Sequence, residues 1–116
     1  MFRFPSIVTL SAGLLAMSTY MHAEMRVTSD DAMKAAIQKS QPEYPPMARQ
    51  MHITGKVDVE ITIESDGSVA DVKVVSGNAL LTPAVVSAVK KWKFTPFTSN
   101  GEPSKAVAAL GFEFKI

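Results

Sequence analysis

Asp58, Glu60 and Glu64 recur at even spacing along GKVDVEITIES, Gly55 to Ser65, which sets three carboxylates on one face of an extended chain. Neighbouring carboxylates are the usual means of general acid–base hydrolysis, one holding a proton while the other stays ionised. Val57, Val59, Ile61 and Ile63 fill the alternate positions, however, and that strict period of two describes a strand with one buried and one solvated face. The acids are therefore read as solvated strand residues. Of the two histidines, His22 lies in the N-terminal segment described below and His52 stands alone between a short helix and a strand, a surface or partly packed position. There is no cysteine, so thiolate nucleophiles, Cys-based metal sites and disulfides are excluded. Gly67, Gly77, Gly101 and Gly111 lack phosphate-loop spacing. No enzyme, no cofactor and no metal is expected; the chemistry left is recognition.

For recognition the informative stretch is QPEYPPMARQ, Gln41 to Gln50. Each proline holds its own φ near −65° and drives the preceding residue toward extended geometry, so this lead-in is stiff. Tyr44 has two open readings: its ring pins the lead-in to the domain while its hydroxyl stays wet, or it belongs to a partner-facing surface. Trp92 and Phe94, at the end of a helical stretch, are read as core.

The elements that would position these residues follow from spacing. In the lead-in, residues 24–40, a short helix is expected with Asp30 or Asp31 as cap and Ala32, Ala36 and Ile37 on its apolar face. PMARQM, from Pro46, makes one or two helical turns with proline at the first position. Strand one is Gly55–Ser65; Asp66-Gly67 predicts a tight hairpin with positive φ at both turn residues. Strand two follows with Ala70, Val72 and Val74 inward and Val69 and Val75 outward. LTPAVVSAVKKW predicts a long helix capped by Thr82, its Val85, Val89 and Trp92 laid across the sheet. Asn100-Gly101 marks a reversal, and KAVAALGFEFKI, from Lys105, alternates again as strand three. The expected fold class is α+β: two layers, a three-stranded antiparallel sheet in the order 2-1-3, one long helix on it, and short N-terminal helical turns. Strands two and three are then edges with unpaired N–H and C=O groups.

The 116-residue length fits one domain. Residues 1–23, with Arg3, an apolar stretch from Ile7 to Met17 and small or polar residues ending at Ala23, are laid out as a secretory signal peptide cleaved before Glu24. The apolar stretch is about half the roughly 20 residues that span a bilayer, which disfavours the alternative of a retained membrane anchor. Cleavage leaves eleven basic and eleven acidic residues, interspersed, which argues against nucleic acid or a polybasic membrane partner. The organisation expected is thus a signal peptide (1–23), a lead-in with a short helix (24–40) and one domain (41–116).

Taken together, Tyr44-Pro45, Ala48, Gly55 with Val57 and Val59, Asp66-Gly67, and Trp92, Phe94 and Pro96 ahead of a closing FEFKI resemble the TonB C-terminal domain family, over about residues 41–116. The resemblance implies a periplasmic domain that engages a short extended segment of an outer-membrane transporter and passes on force derived from the inner-membrane proton gradient. It implies that the segment adds as a strand beside the last strand of the domain, with the stretch Gln41 to Pro45 nearby. The expected partner-binding residues are Gln41, Glu43, Tyr44, Lys105, Val107, Ala109, Glu113 and Lys115, with Val107, Ala109 and Glu113 on the solvated face. The partner is a transporter or another envelope protein. The alternatives are a self-associating homodimer paired through exposed edges, or a short membrane-anchored energy transducer if residues 1–23 are retained.

Overall fold

The computed structural model describes residues 25–116; the expected signal peptide lies outside them. In chain order the elements are β1 (Met25–Val27), α1 (Ser29–Ala35), β2 (Ala36–Gln38), α2 (Pro46–Gln50), β3 (Gly55–Ile63), β4 (Val69–Ser76), α3 (Thr82–Val89), β5 (Lys93–Phe94), β6 (Phe97–Ser99), β7 (Glu102–Ser104) and β8 (Ala106–Phe114). The fold is α+β. Its main sheet runs β1-β8-β3-β4, with β3 antiparallel to both neighbours and β1 parallel to β8. The expected three-stranded antiparallel sheet is thereby corrected: Met25–Val27, assigned from sequence to a polar lead-in, add a fourth strand and make the sheet mixed.

Alternation does its work in β3, where Val57, Val59, Ile61 and Ile63 are fully buried. Against them pack Leu81, Val85, Val89, Trp92 and Phe94, with Ala106, Ala108 and Leu110 of β8. Each fully buried aliphatic side chain contributes roughly 1.5–3 kcal/mol. The ion pairs on the opposite face, Arg26–Glu60 at 3.1 Å and Lys105–Glu64 at 4.0 Å, are solvent-exposed and contribute at most about 1 kcal/mol each. The apolar layer holds the fold.

Local chemistry shifts several boundaries. Thr28, not an aspartate, caps α1, its hydroxyl accepting from the Asp31 amide at 3.0 Å, while Asp30 and Asp31 fill the first turn, where carboxylates favour the helix dipole. That helix ends at Ala35, so Ala36 opens β2 and Ile37 is 70% exposed rather than part of an apolar face. The expected long helix is α3, which ends at Val89; its N-cap position is Leu81, and Thr82 is already helical. Asn78 starts the turn instead, its side chain accepting from the Leu80 amide at 2.8 Å.

The Asp66-Gly67 hairpin is wider than expected, because only Gly67 has positive φ. The Glu64 amide donates to the Ser68 carbonyl at 2.8 Å and the Gly67 amide to that of Glu64 at 2.9 Å, closing a three-residue loop with glycine in the left-handed position. In β4, Ala70 and Val75 are bulged out of register, which turns Val69 to pair with Ile63 and leaves Ala70 exposed, the reverse of the expected facing. Asn100 (φ 53°) and Gly101 (φ 82°) make the expected reversal, between β6 and β7. At the end of α2, His52 has φ 56°, and the Ile53 amide donates to the Ala48 carbonyl at 2.8 Å, a Schellman closure usually made by glycine.

Candidate functional site

The proline-rich lead-in is strapped across the end of the sheet by three hydrogen bonds. Gln38 Nε2 donates to the Lys91 carbonyl at 3.1 Å, the Trp92 indole N–H donates to the Ser40 carbonyl at 2.9 Å, and the Tyr44 hydroxyl donates to the Ile53 carbonyl. The rings complete the attachment. Tyr44 meets Phe114 edge-on with centroids 5.3 Å apart, and Trp92 meets Phe112 edge-on at 5.8 Å. The Arg49 guanidinium lies 4.7 Å from the centre of the Tyr44 ring. Stiff backbone and aromatic anchors thus fix Gln41–Tyr44 beside the last strand.

Beside this strap, β8 has two distinct halves. Residues Ala106, Val107 and Ala108 are register partners of Met25, Arg26 and Val27, so that part of the strand is interior to the sheet. The Ser29 hydroxyl donates to the Ala109 carbonyl, which identifies the odd-numbered residues of β8 as those whose main chain points away from β3. Beyond Ala109 the main-chain groups of Gly111, Glu113 and Lys115 face outward along an edge that no strand of the described residues covers.

Two grooves flank that edge. One, of about 340 Å³, runs between Gln41, Pro42 and Tyr44 on one side and Gly111–Lys115 on the other. The second, of about 310 Å³, is walled by Ser29 and Met33 of α1, the strap at Ser40 and Gln41, and Trp92 and Phe112. Gln41, Gly111 and Phe112 line both.

Of the residues expected at the site, the structure brings together Gln41, Tyr44, Glu113 and Lys115. Glu43 turns to a different groove of about 470 Å³, shared with Pro45, Pro83 and Ser87 of the α3 side. Lys105 lies beyond the covered half of β8 and reaches toward Glu64 at 4.0 Å. Val107 does lie on the outer face, with its register partners Arg26 and Thr62, but is covered between them and only 3% exposed. Ala109 is exposed, but its carbonyl is taken by Ser29. The two readings of Tyr44 meet in one residue, since its ring both anchors the strap and walls the groove; its hydroxyl, expected wet, is bonded to Ile53.

Sequence reasoning missed Gly111, Phe112 and Met33. Gly111 carried a signal, because a glycine inside an alternating strand often marks close approach of another chain. A side chain there would crowd the back face, its Cβ falling 2.8 Å from Lys56 Cε and 2.9 Å from Asp58 Oδ1.

Asp58 and Glu60 of β3, and Glu64 just past its end, each face a partner. Glu60 pairs with Arg26, Asp58 accepts from Ser76 Oγ at 3.2 Å and lies 3.7 Å from Lys56 Nζ, and Glu64 lies near Lys105. Among the described residues no three His, Asp or Glu side chains converge as a metal site would require.

Sheet, strap and open half-edge make a small α+β domain in which main chain and grooves are arranged along one strand. Comparison with known proteins narrows this class. The family model for the Gram-negative bacterial TonB protein C-terminal matches residues 40–116, and the chain belongs to that family. It is 38% identical over 77 residues to Protein TonB of Pseudomonas aeruginosa, an alignment covering 65% of this chain and 22% of that protein. With Protein TonB of Escherichia coli it shares 29% identity over 92 residues, 78% of this chain and 36% of the relative. The solution NMR structure of the Pseudomonas aeruginosa TonB CTD superposes with a TM-score of 0.60 at 35% identity, covering 70% of this chain and 84% of that one. The chain therefore spans between about a fifth and about a third of the length of these full-length relatives.

Proposed function

We propose that this domain is a periplasmic binding module of TonB-dependent transport, not an enzyme, and that it takes an extended segment of an outer-membrane transporter or other envelope protein by strand addition at Gly111–Lys115. The observation that carries this reading is the uncovered half of β8, whose outward N–H and C=O groups run between two grooves. Main-chain bonds to Gly111, Glu113 and Lys115 supply affinity, and the grooves at Tyr44 and Trp92 select alternate side chains of the incoming strand. The strap is already ordered by its prolines and anchors, so little conformational entropy is lost on binding. Family membership supports the transport setting. Residues 1–23 serve in this reading as a cleaved signal; retention of the segment would make the chain a short anchored transducer. The mass of the mature protein decides between them.

The binding test is an NMR titration with synthetic peptides copying the extended periplasmic segments of outer-membrane transporters from the same cell. Shifts are expected at the Gly111, Glu113 and Lys115 amides. Glu113→Pro removes one outward N–H without touching a β3 bond and should abolish binding while leaving the fold intact. Shifts confined to β4, or unchanged affinity in Glu113→Pro, would move the site elsewhere.

A further inference from the structure

We propose that β1 is a resident pseudo-ligand: the binding surface for a partner strand is the whole β8 edge, Ala106–Lys115, and β1 with α1 is the segment that a partner displaces to reach it. This rests on the strand-addition reading above and adds its regulation.

The observations concern what holds each part of the N-terminal segment. β1 pairs with β8 as an added strand, among the described residues through Met25, Arg26 and Val27. It sits on the same edge, and in line with, the uncovered main chain of Gly111–Lys115. It lies outside the residues matched by the family, which begin at 40. Its attachment is slight: Met25 and Val27 are half-buried against the core, and Arg26 makes an exposed ion pair with Glu60. Downstream, α1 spans Ser29–Ala35, shorter than an isolated helix needs to persist in water; Ala32 is its one fully buried residue, a single methyl group in the core, and Met33 is 40% exposed.

From Ala35, the last residue of α1, the chain is held more firmly. The Thr95 amide donates to the Ala35 carbonyl at 2.8 Å, β2 pairs with β5, and the Trp92 indole holds Ser40. A hinge at Lys34–Ala35 therefore separates β1 and most of α1, whose one fully buried side chain is the small Ala32, from an anchored strap. Release of β1 and α1 would leave the Gln41–Tyr44 wall of the groove in place. It would also roughly double the accessible edge, from Gly111–Lys115 to Ala106–Lys115, and remove Ser29 from the Ala109 carbonyl, where an incoming strand would otherwise stop.

Native-state amide hydrogen exchange on residues 24–116 tests the release. Val107 and Ala109 carry the main-chain groups that face β1, and their amides are expected to exchange at least about 100-fold faster than those of the β3–β8 ladder at Ala108 and Leu110. Val27→Asp should accelerate the first pair alone. If all four amides exchange through one global opening, β1 is an integral strand and the proposal is overturned.

A second experiment uses the transporter-derived peptide and the absence of native cysteines. Arg26→Cys with Val107→Cys joins register partners; oxidation locks β1 in place and reduction frees it. The reduced form is expected to bind the peptide about 10-fold more tightly, with shifts that reach Ala106–Ala109. Equal affinity in both forms, with shifts confined to Gly111–Lys115, would overturn displacement and leave strand addition standing. No binding even to Val27→Asp, with its Val107 amide in fast exchange, would remove the strand-addition reading and this proposal together.

Discussion

Gly67 is the residue where a single methyl group would be felt most. Its φ is +92°, and a Cβ would lie 1.9 Å from the Phe94 carbonyl oxygen, a backbone atom that cannot swing aside. The two backbones are held close, since the Phe94 amide donates to the Gly67 carbonyl at 2.8 Å. Gly67→Ala should therefore cost more than about 2 kcal/mol, read as a lowered urea midpoint. Next to it, Asp66 has its pKa held below the ordinary 3.8, first by the Ser68 hydroxyl and then by the Ser68 amide, at 2.7 and 2.9 Å. A carboxylate whose folded pKa is depressed contributes stability that is fully present above the ordinary value and is lost as pH falls through the folded one. Asp66→Asn should flatten the acid limb of a melting-temperature profile below pH 3.8. An unchanged acid limb would show that this exposed turn contributes nothing to acid stability.

Among the elements, the strap shows what a sequence can and cannot disclose. Three prolines around Tyr44 announced stiffness, because proline acts locally on its own φ and its neighbour's. The partners of the strap are remote: Tyr44 bonds Ile53, and Ser40 bonds Trp92. Spacing carries no record of such contacts. The strong alternation of β3 and β8 was legible for the same local reason, whereas β1 has three described residues, too few for a pattern to recognise. Its pairing covers the half of β8 where Val107 was expected to be solvated, and no local signal foretells that. The bulges of β4 were hidden too, since they depend on the register of the facing strand. For the strap, Tyr44→Phe keeps the edge-on contact with Phe114 and loses one partly buried hydrogen bond, at a cost of about 1 kcal/mol. Tyr44→Ala loses the ring as well and should cost about 3 kcal/mol. Chemical denaturation of the two variants separates anchor from bond; equal losses would mean that the hydroxyl alone secures the strap.

At the scale of the whole molecule, the sheet has a second edge that no strand of the described residues covers, β4, and the exposed-edge dimer expected as a rival depends on it. Val74 and Val75 are 40% and 63% exposed there, enough apolar surface to invite a second copy. The regular part of the strand is short, however, because the bulges at Ala70 and Val75 bracket Asp71–Val74 and twist the ends out of line. Lys73 sits in the middle of that stretch, opposite Glu60, and burying its ammonium against another chain would be costly. In an antiparallel self-pairing centred on Val72, Lys73 would meet Asp71 of the second copy and be partly compensated, so the charge alone is a weaker barrier than charge and bulges together. The domain is accordingly expected to remain monomeric, with light scattering independent of concentration. Lys73→Val removes the charge and extends the apolar run to Val72–Val75, and should bring concentration-dependent scattering without loss of helical signal. If the unaltered domain already associates, the contact must lie on another edge, and scattering repeated on Glu113→Pro would tell whether it is the open half of β8.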